Sequence, residues 1–400
     1  MKLPRRLATV IEQDLKKKMV FVAGPRQCGK TTLAKGLISA PASIKSYYNW
    51  DIDGDRKLLL HSQLNDQASI WVLDEIHKYR RWRNWLKGIY DDQNDTHQIL
   101  VTGSARLDLY SRGGDSLQGR YYAHHLHPIT LSEFAQVPFT TEDIESFNFG
   151  VNSLSEEKSQ KLLLDLLTLG GFPEPLFSGS ETQASRWRFN YGARLVREEV
   201  ISLEQVQDLG SMELLYDQLS KTVGSVLSIN SLREDLQTSF NTIKRWIEIF
   251  ERLYGVFRIY PFGPSKIKAV KKEAKLYFWD WAQAASESAR FENLVAVHLL
   301  RWVHWMQDVL GQKYELRYFR NTVGHEVDFI VLKNGKPQLA VEVKLDDRPL
   351  DSGIKYLLER LSIPQAFQVS LYGKLNYLGP ALHGGRVHFI PARKLLLKLP

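Results

Sequence analysis

The first residues able to do chemistry are Gly24-Pro25-Arg26-Gln27-Cys28-Gly29-Lys30-Thr31, which fit the phosphate-loop pattern GxxxxGK[ST] at every fixed position. Glycines let successive backbone N–H groups curl around phosphates, Lys30 reaches the β- and γ-phosphates, and Thr31 offers a hydroxyl to Mg2+. The loop needs a strand before it and a helix after it. Met19-Val20-Phe21-Val22-Ala23 reads as a buried strand and Thr32 to Ile38 as a helix, so ATP is the expected ligand, bound by Gly24 to Thr32. The partner of such a loop is an acidic strand end, which Ile70-Trp71-Val72-Leu73-Asp74-Glu75 supplies. Asp74 is placed to hold the magnesium shell and Glu75 to polarise the attacking water.

The elements around these residues alternate. Pro4 to Leu15 has apolar residues at helical spacing (Leu7, Val10, Ile11, Leu15), Tyr47 to Asp51 reads as a second strand, and Ile76 to Tyr90 as a helix with a basic, tryptophan-rich face. Gln98 to Ser104 is a further apolar strand, ending in Ser104 where a nucleotide-sensing residue would sit. Alternating strands and helices argue for a parallel sheet covered on both faces. Arg112 and Arg120 flank a glycine-containing stretch. An arginine there either completes a neighbouring subunit's site or forms a local ion pair. His124, His125 and His127 lie on a strand-like segment without a carboxylate or cysteine at ligand spacing, which argues against a metal site there.

The chain has 400 residues, 44% apolar and 24% charged, with net charge +8: a globular composition with core enough for several domains, and a balance that suits a polyanionic partner. Its one cysteine, Cys28, excludes an internal disulfide framework and a cysteine-rich zinc site. Met1 to Lys18 is basic without an apolar core, and no run approaches the roughly 18 apolar residues of a membrane helix. A soluble cytoplasmic protein with no membrane partner is expected.

The phosphate loop, LDEIHK, LVTGSARL, the SLQGR stretch, HPITLSEF and LGGFPEPL, in that order, resemble the AAA+ ATPases of bacteria and archaea whose C-terminal region is the uncharacterised DUF4143 module. The resemblance covers nearly the whole chain. It implies Lys30 and Thr31 on nucleotide and magnesium, Asp74 and Glu75 as the acidic pair, Ser104 as sensor, Arg120 as arginine finger, and assembly into a ring or smaller homo-oligomer.

Thr130 to Leu203 reads as a helical connector with a break at Gly170-Gly171-Phe172-Pro173. From Leu214 to Asp280 three helices and two strand-like runs follow, Gly255 to Pro261 and Ala274 to Trp279, the order of a winged helix-turn-helix. Lys244 and Arg245 on its third helix, and Lys266, Lys268, Lys271 and Lys272 on its hairpin, which also carries Lys275, are the expected DNA contacts. The alternative is a protein-docking module with solvated lysines.

The last module holds a second constellation. Asp328 in Glu326 to Val331, followed one hairpin later by Glu342-Val343-Lys344, resembles the core of PD-(D/E)XK nucleases, with Glu292 matching their helical acid. Carboxylates of Asp328 and Glu342 on adjacent strand ends would bind a metal, beside a lysine that activates water. The alternative is that hairpin alternation puts the acids on one face and Lys344 merely pairs with Asp328. The fold class expected is α/β: a P-loop AAA+ core with parallel sheet (1–135), a helical connector (136–205), a winged helix-turn-helix (206–285) and a PD-(D/E)XK nuclease-like α/β module (286–400).

Overall fold

The computed structural model describes residues 3–38, 41–93, 96–104, 117–138, 154–200, 208–263 and 273–400. Arg112, Lys266, Lys268, Lys271 and Lys272 lie outside the described residues, as does most of the polar insertion expected from Asn148. The chain divides into two compact units, Met1–Pro128 with Arg252–Tyr254, and Ile129–Glu251 with Gly255–Pro400.

In the first unit α1 (Leu7–Leu15) leads into β1 (Met19–Ala23), followed by α2 (Lys30–Gly36), β2 (Tyr47–Asn49), α3 (Asp53–Leu60), β3 (Ile70–Asp74), α4 (Trp82–Gln93), β4 (Gln98–Gly103) and β5 (Tyr121–His125). The strands form one parallel sheet in the order β2-β3-β4-β1-β5. Every residue of β1 and β3 is buried, the continuous apolar run of a sheet covered on both faces. Each buried Val, Leu or Phe there contributes roughly 1.5–3 kcal/mol. β4 lies between the phosphate-loop strand and the acidic strand, with Thr102 paired to Val22 on one side and Asp74 on the other.

One element differs from expectation. The helix read from Ile76 to Tyr90 is broken: Ile76–Lys78 is a 3-10 turn, Tyr79 is extended, and α4 begins only at Trp82. Lys78, Arg80 and Arg81 therefore sit on a turn rather than a helix face, while Trp82 packs inward.

The second unit contains α5 (Leu131–Phe134), α6 (Glu156–Leu169), α7 (Pro173–Ser178) and α8 (Glu181–Arg194), with the expected break at Gly170 between α6 and α7. Three helices follow, α9 (Leu209–Leu219), α10 (Ile229–Asp235) and α11 (Phe240–Arg252), then the antiparallel pair β6 (Val256–Pro261) and β7 (Lys275–Phe278). After α12 (Glu287–Asp308) come β8 (Tyr314–Arg320), β9 (Glu326–Lys333), β10 (Lys336–Lys344), α13 (Ser352–Leu358), β11 (Gln365–Ser370), β12 (Tyr377–Leu382), β13 (Gly385–Pro391) and α14 (Ala392–Leu396). The strands run β12-β13-β11-β10-β9-β8-β6-β7. The helix order and the hairpin are those read from the sequence, but β6 pairs in parallel with β8 through Tyr260 and Pro261, so the hairpin is one end of this sheet. The boundary expected at 285/286 thus falls between strands of a single sheet. Among the described residues no helix is long and apolar enough to cross a membrane.

Two buried polar contacts tie α5 to α12. Arg301 meets Glu133 at 3.1 Å with both side chains almost fully buried, and His298 Nε2 accepts the Leu131 N–H at 2.9 Å while its Nδ1 faces the Leu294 carbonyl at 2.7 Å. Burial, with the nearby Arg301 charge, pushes His298 down to about 4 from its usual 6.5, so the ring is neutral and Nδ1 carries the proton. Protonation then favours the unfolded chain. The stabilisation is complete above pH 6.5 and is lost as pH falls toward 4, by about 3 kcal/mol in total. Urea midpoints of the parent should therefore decline between pH 6.5 and 4 more steeply than those of His298→Gln, whose amide can keep both contacts without titrating. Parallel pH profiles of the two proteins would refute this.

Candidate functional site

The loop between β1 and α2 is built on two glycines at backbone conformations that favour glycine. Gly24 has φ +153°, and a Cβ there would lie 2.3 Å from the Leu126 carbonyl oxygen; Gly29 has φ +100°. Lys30 is buried, and its Nζ donates to the carbonyls of Gly24 (2.9 Å) and Pro25 (2.7 Å), which holds the ammonium at the centre of the loop. Arg26 and Gln27 line its outer turn, Cys28 is packed with its thiol toward the Leu126 carbonyl, and Thr32 is exposed on the first turn of α2.

Asp74 ends β3 in a buried position and is met by three hydroxyls. Thr31 donates to Oδ2 at 2.9 Å, Tyr47 to Oδ2 at 2.5 Å, and Thr102 to Oδ1 at 2.6 Å. Burial, and then the Asp74 carboxylate, push the Tyr47 phenol well above its ordinary value, which keeps it a donor. Glu75 follows in the left-handed region (φ 58°), a conformation that costs a non-glycine residue of order 1–3 kcal/mol. Its N–H is fixed on the Thr102 carbonyl at 2.8 Å, and its carboxylate lies 3.4 Å from His77 Nε2. Ser104 is buried at the end of β4, between the two strands that carry loop and acids. Thr31 and Asp74 together present the hard oxygens that Mg2+ takes, so the residues fit that ion.

The other candidates of this unit are engaged locally. Arg120 forks onto Asp91 with Nε–Oδ1 2.6 Å and Nη2–Oδ2 3.1 Å, and its guanidinium holds that carboxyl below the usual range. Its carbonyl accepts the Met19 N–H, at the far end of β1 from the phosphate loop, about 13 Å along the strand. Its side chain is thereby directed to Asp91, away from the phosphate loop of the same chain. His124 Nε2 lies 2.8 Å from Asp14 Oδ2, within hydrogen-bond distance.

In the second unit Glu292, Asp328, Glu342 and Lys344 come together. Asp328 and Glu342 face each other where the β9–β10 ladder ends, and side chains replace its rungs: Asp328 N–H donates to Glu342 Oε2 (3.3 Å), and Val343 N–H to Asp328 Oδ2 (2.9 Å). Lys344 lies on Glu342 Oε1 (2.7 Å) and Asp351 Oδ2 (2.9 Å), not on Asp328. Burial, reinforced by the Asp328 charge, raises both Glu342 and Glu292 well above the usual carboxylate range.

Lys275 requires a correction. It is 1% exposed rather than solvated, and its Nζ sits 2.5 Å from Glu326, 3.3 Å from Glu292 and 3.4 Å from Asp328. The lysine cannot be a phosphate contact. Asp328 and Glu342, the expected magnesium pair, are engaged with neighbouring groups. Each of their four oxygens already accepts a hydrogen bond or a lysine, and among the described residues no group of three or more His, Cys, Asp or Glu side chains is arranged to hold a metal. Lys244 and Arg245 are exposed on α11, whose buried face is Ile243, Trp246, Ile247, Ile249 and Phe250.

A family model described as an AAA domain matches residues 16–135, and two domains of unknown function match later stretches, DUF8612 over 160–289 and DUF4143 over 287–393. The chain joins an AAA domain to a C-terminal DUF4143 module. An uncharacterized protein of Methanocaldococcus jannaschii is 27% identical over 316 residues, covering 69% of this chain and 63% of its own length. An uncharacterized protein of Mycobacterium tuberculosis is 22% identical over 264 residues, covering 66% of this chain and 54% of its own length. The chain thus spans between about half and two thirds of these relatives. Among solved structures, a Signal Transduction ATPase with Numerous Domains (STAND) protein from Pyrococcus horikoshii is similar over 78% of this chain and 48% of its own, at 13% identity and a TM-score of 0.29. RuvB of Thermotoga maritima is similar over 64% and 88%, at 17% identity and 0.27. Both scores are low, and neither likeness bears on function.

Three residues of the first unit escape motif reading. Thr102 and Tyr47 reach Asp74 only through sheet register, although the polar end of the strand in Val101-Thr102-Gly103-Ser104 was a visible signal. Arg5, in the turn before α1, donates to the Cys28 carbonyl (3.0 Å) and the His127 carbonyl (2.5 Å), bracing the phosphate loop from behind. Arg5→Ala should cost the domain about 1–3 kcal/mol and weaken nucleotide binding, because a loosened loop must be ordered on binding. Denaturant melts and titration with a fluorescent ATP analogue test this; a variant matching the parent in both would remove Arg5 from the site.

Proposed function

We propose that the chain binds ATP with Mg2+ through Gly24 to Thr32, hydrolyses it, and acts on DNA as a self-associating ring or smaller homo-oligomer. The ATP reading is carried by one observation: the Thr31 hydroxyl lies 2.9 Å from Asp74, bringing the phosphate loop and the acidic strand to a single point. Mg2+ held by Thr31 and Asp74 supplies neutralisation of the phosphate charge. Lys30 exchanges the carbonyls of Gly24 and Pro25 for the β- and γ-phosphates. Glu75, its backbone fixed on Thr102, orients the attacking water and takes its proton. Ser104 contacts the terminal phosphate, and Arg120, if it acts, acts on a neighbouring subunit after leaving Asp91.

The DNA reading is supported by the net charge of +8, by exposed Lys244 and Arg245 on α11, and by Lys266, Lys268, Lys271 and Lys272 in the sequence that follows. Strand cleavage is left out of it, because the oxygens of Asp328 and Glu342 are engaged. The same engagement favours a second reading, a nucleotide-gated scaffold in which the DUF4143 module is a protein-docking surface. DNA-stimulated ATP turnover separates the two, since only the first requires it.

Lys30→Ala should lose triphosphate binding. Glu75→Gln should retain it and lose turnover by about 100-fold or more, because only the water-orienting group is gone. Steady-state phosphate release, with and without duplex and single-stranded DNA, reads both effects; parent-rate turnover by Glu75→Gln would overturn the assignment.

A further inference from the structure

The carboxylates of the DUF4143 module, Glu292, Glu326 and Asp328, meet a cation from the DUF8612 stretch before it. Lys275 opens β7, a strand whose four residues are all buried, and its ammonium lies among Glu326 Oε1, Glu292 Oε1 and Asp328 Oδ1. Such burial is tolerated only when the charge is matched. Burial by itself lowers the pKa of this lysine, but the three carboxylates outweigh it and hold the group above its ordinary value. The cluster is also walled in. Tyr277 donates to Glu292 Oε1 at 2.7 Å, and Gly224 (φ +78°) approaches so closely that a Cβ there would be 2.6 Å from Glu292 Oε2. Leu227 N–H donates to the Ala274 carbonyl at 2.9 Å and Val226 bridges to Lys275, so the segment after Gly224 is fastened to the start of β7. A phosphodiester has no approach to Glu292 from that side.

We infer that Lys275 stands permanently in the place of the divalent metal of a nuclease-type carboxylate cluster, which leaves the module metal-free and unable to cleave a phosphodiester, and that removing this one ammonium uncovers a latent divalent-cation site formed by Glu292, Glu326 and Asp328. Charge supports it. Lys275 is the cation shared by Glu292, Glu326 and Asp328, and of these Glu326 also meets Arg320, at 3.7 Å. Losing Lys275 removes the cation these three carboxylates share, and a divalent ion about 1 Å closer than the ammonium to Glu292 and Asp328, and only a few tenths of an ångström closer to Glu326, would sit at ordinary ligand distances.

The experiment uses the full chain without nucleotide, so that the phosphate-loop site does not recruit the ion. Thermal melts of the parent and Lys275→Met are run in EDTA and across a Mn2+ titration. The parent should melt at the same temperature in both. Lys275→Met should melt lower in EDTA and recover by several degrees with saturable Mn2+ dependence, since a ligand of the native state alone raises its stability. A Lys275→Met protein as stable as the parent and indifferent to Mn2+ would overturn the inference. Should Lys275→Met fail to fold, calorimetric Mn2+ titration of the parent against Asp328→Asn decides: equal heats uphold the inference, and a saturable site present in the parent and absent from Asp328→Asn ends it. Metal-dependent nicking of DNA by the parent that Asp328→Asn abolishes would end it too.

Discussion

A charge taken out of water must be met by opposite charge or by hydrogen bonds, and in each unit the chain is arranged to satisfy one such charge. In the AAA domain it is the buried carboxylate of Asp74, answered by hydroxyls from α2, β2 and β4. Those contacts explain why the strand order matters. With β4 between β1 and β3, Thr102 reaches Asp74 sideways, and the same placement sets Ser104 between loop and acids. In the second unit the charge is the Lys275 ammonium, answered by carboxylates from α12 and β9. It pins β7, the outermost strand, to the middle of the sheet through side chains where no backbone ladder could reach.

The parts of this architecture that a sequence displays are those whose signal is local. The phosphate loop is contiguous, the acidic strand end is four apolar residues and two acids, and α11 shows its stripe at helical spacing. Contacts made by register are different. Nothing within Tyr47-Tyr48-Asn49 points to Asp74, because the link exists only once β2 and β3 pair. Glu292, Asp328 and Glu342 were legible because strand alternation and helix position carry them; which oxygens are already occupied was not.

Lys275 shows why a charge run misleads. Counted with Lys266, Lys268, Lys271 and Lys272 it looks like a solvated hairpin tip. Yet the next residues are Leu276, Tyr277 and Phe278, and a strand apolar on both faces has no solvent side to offer its first residue. The broken helix after Glu75 has a related cause: periodicity runs through Ile76 to Tyr90, but left-handed Glu75 and extended Tyr79 spend that segment on a turn that positions the acid.

The two carboxylate sites also differ in what they leave unbalanced. Hydroxyls are neutral donors: they lower the cost of burying the Asp74 charge without cancelling it, and Lys30 directs its ammonium to the carbonyls of Gly24 and Pro25 instead. A residual negative charge beside a hydroxyl oxygen attracts a hard cation and does not bind it so tightly that phosphates cannot share it. Around Asp328 the donors are an ammonium and a backbone N–H, so the attraction is already spent on a cation the chain cannot release. Whether a buried acid waits for a metal or has its counter-ion built in is thus decided by the charge of its donors, a distinction no spacing of acidic residues encodes.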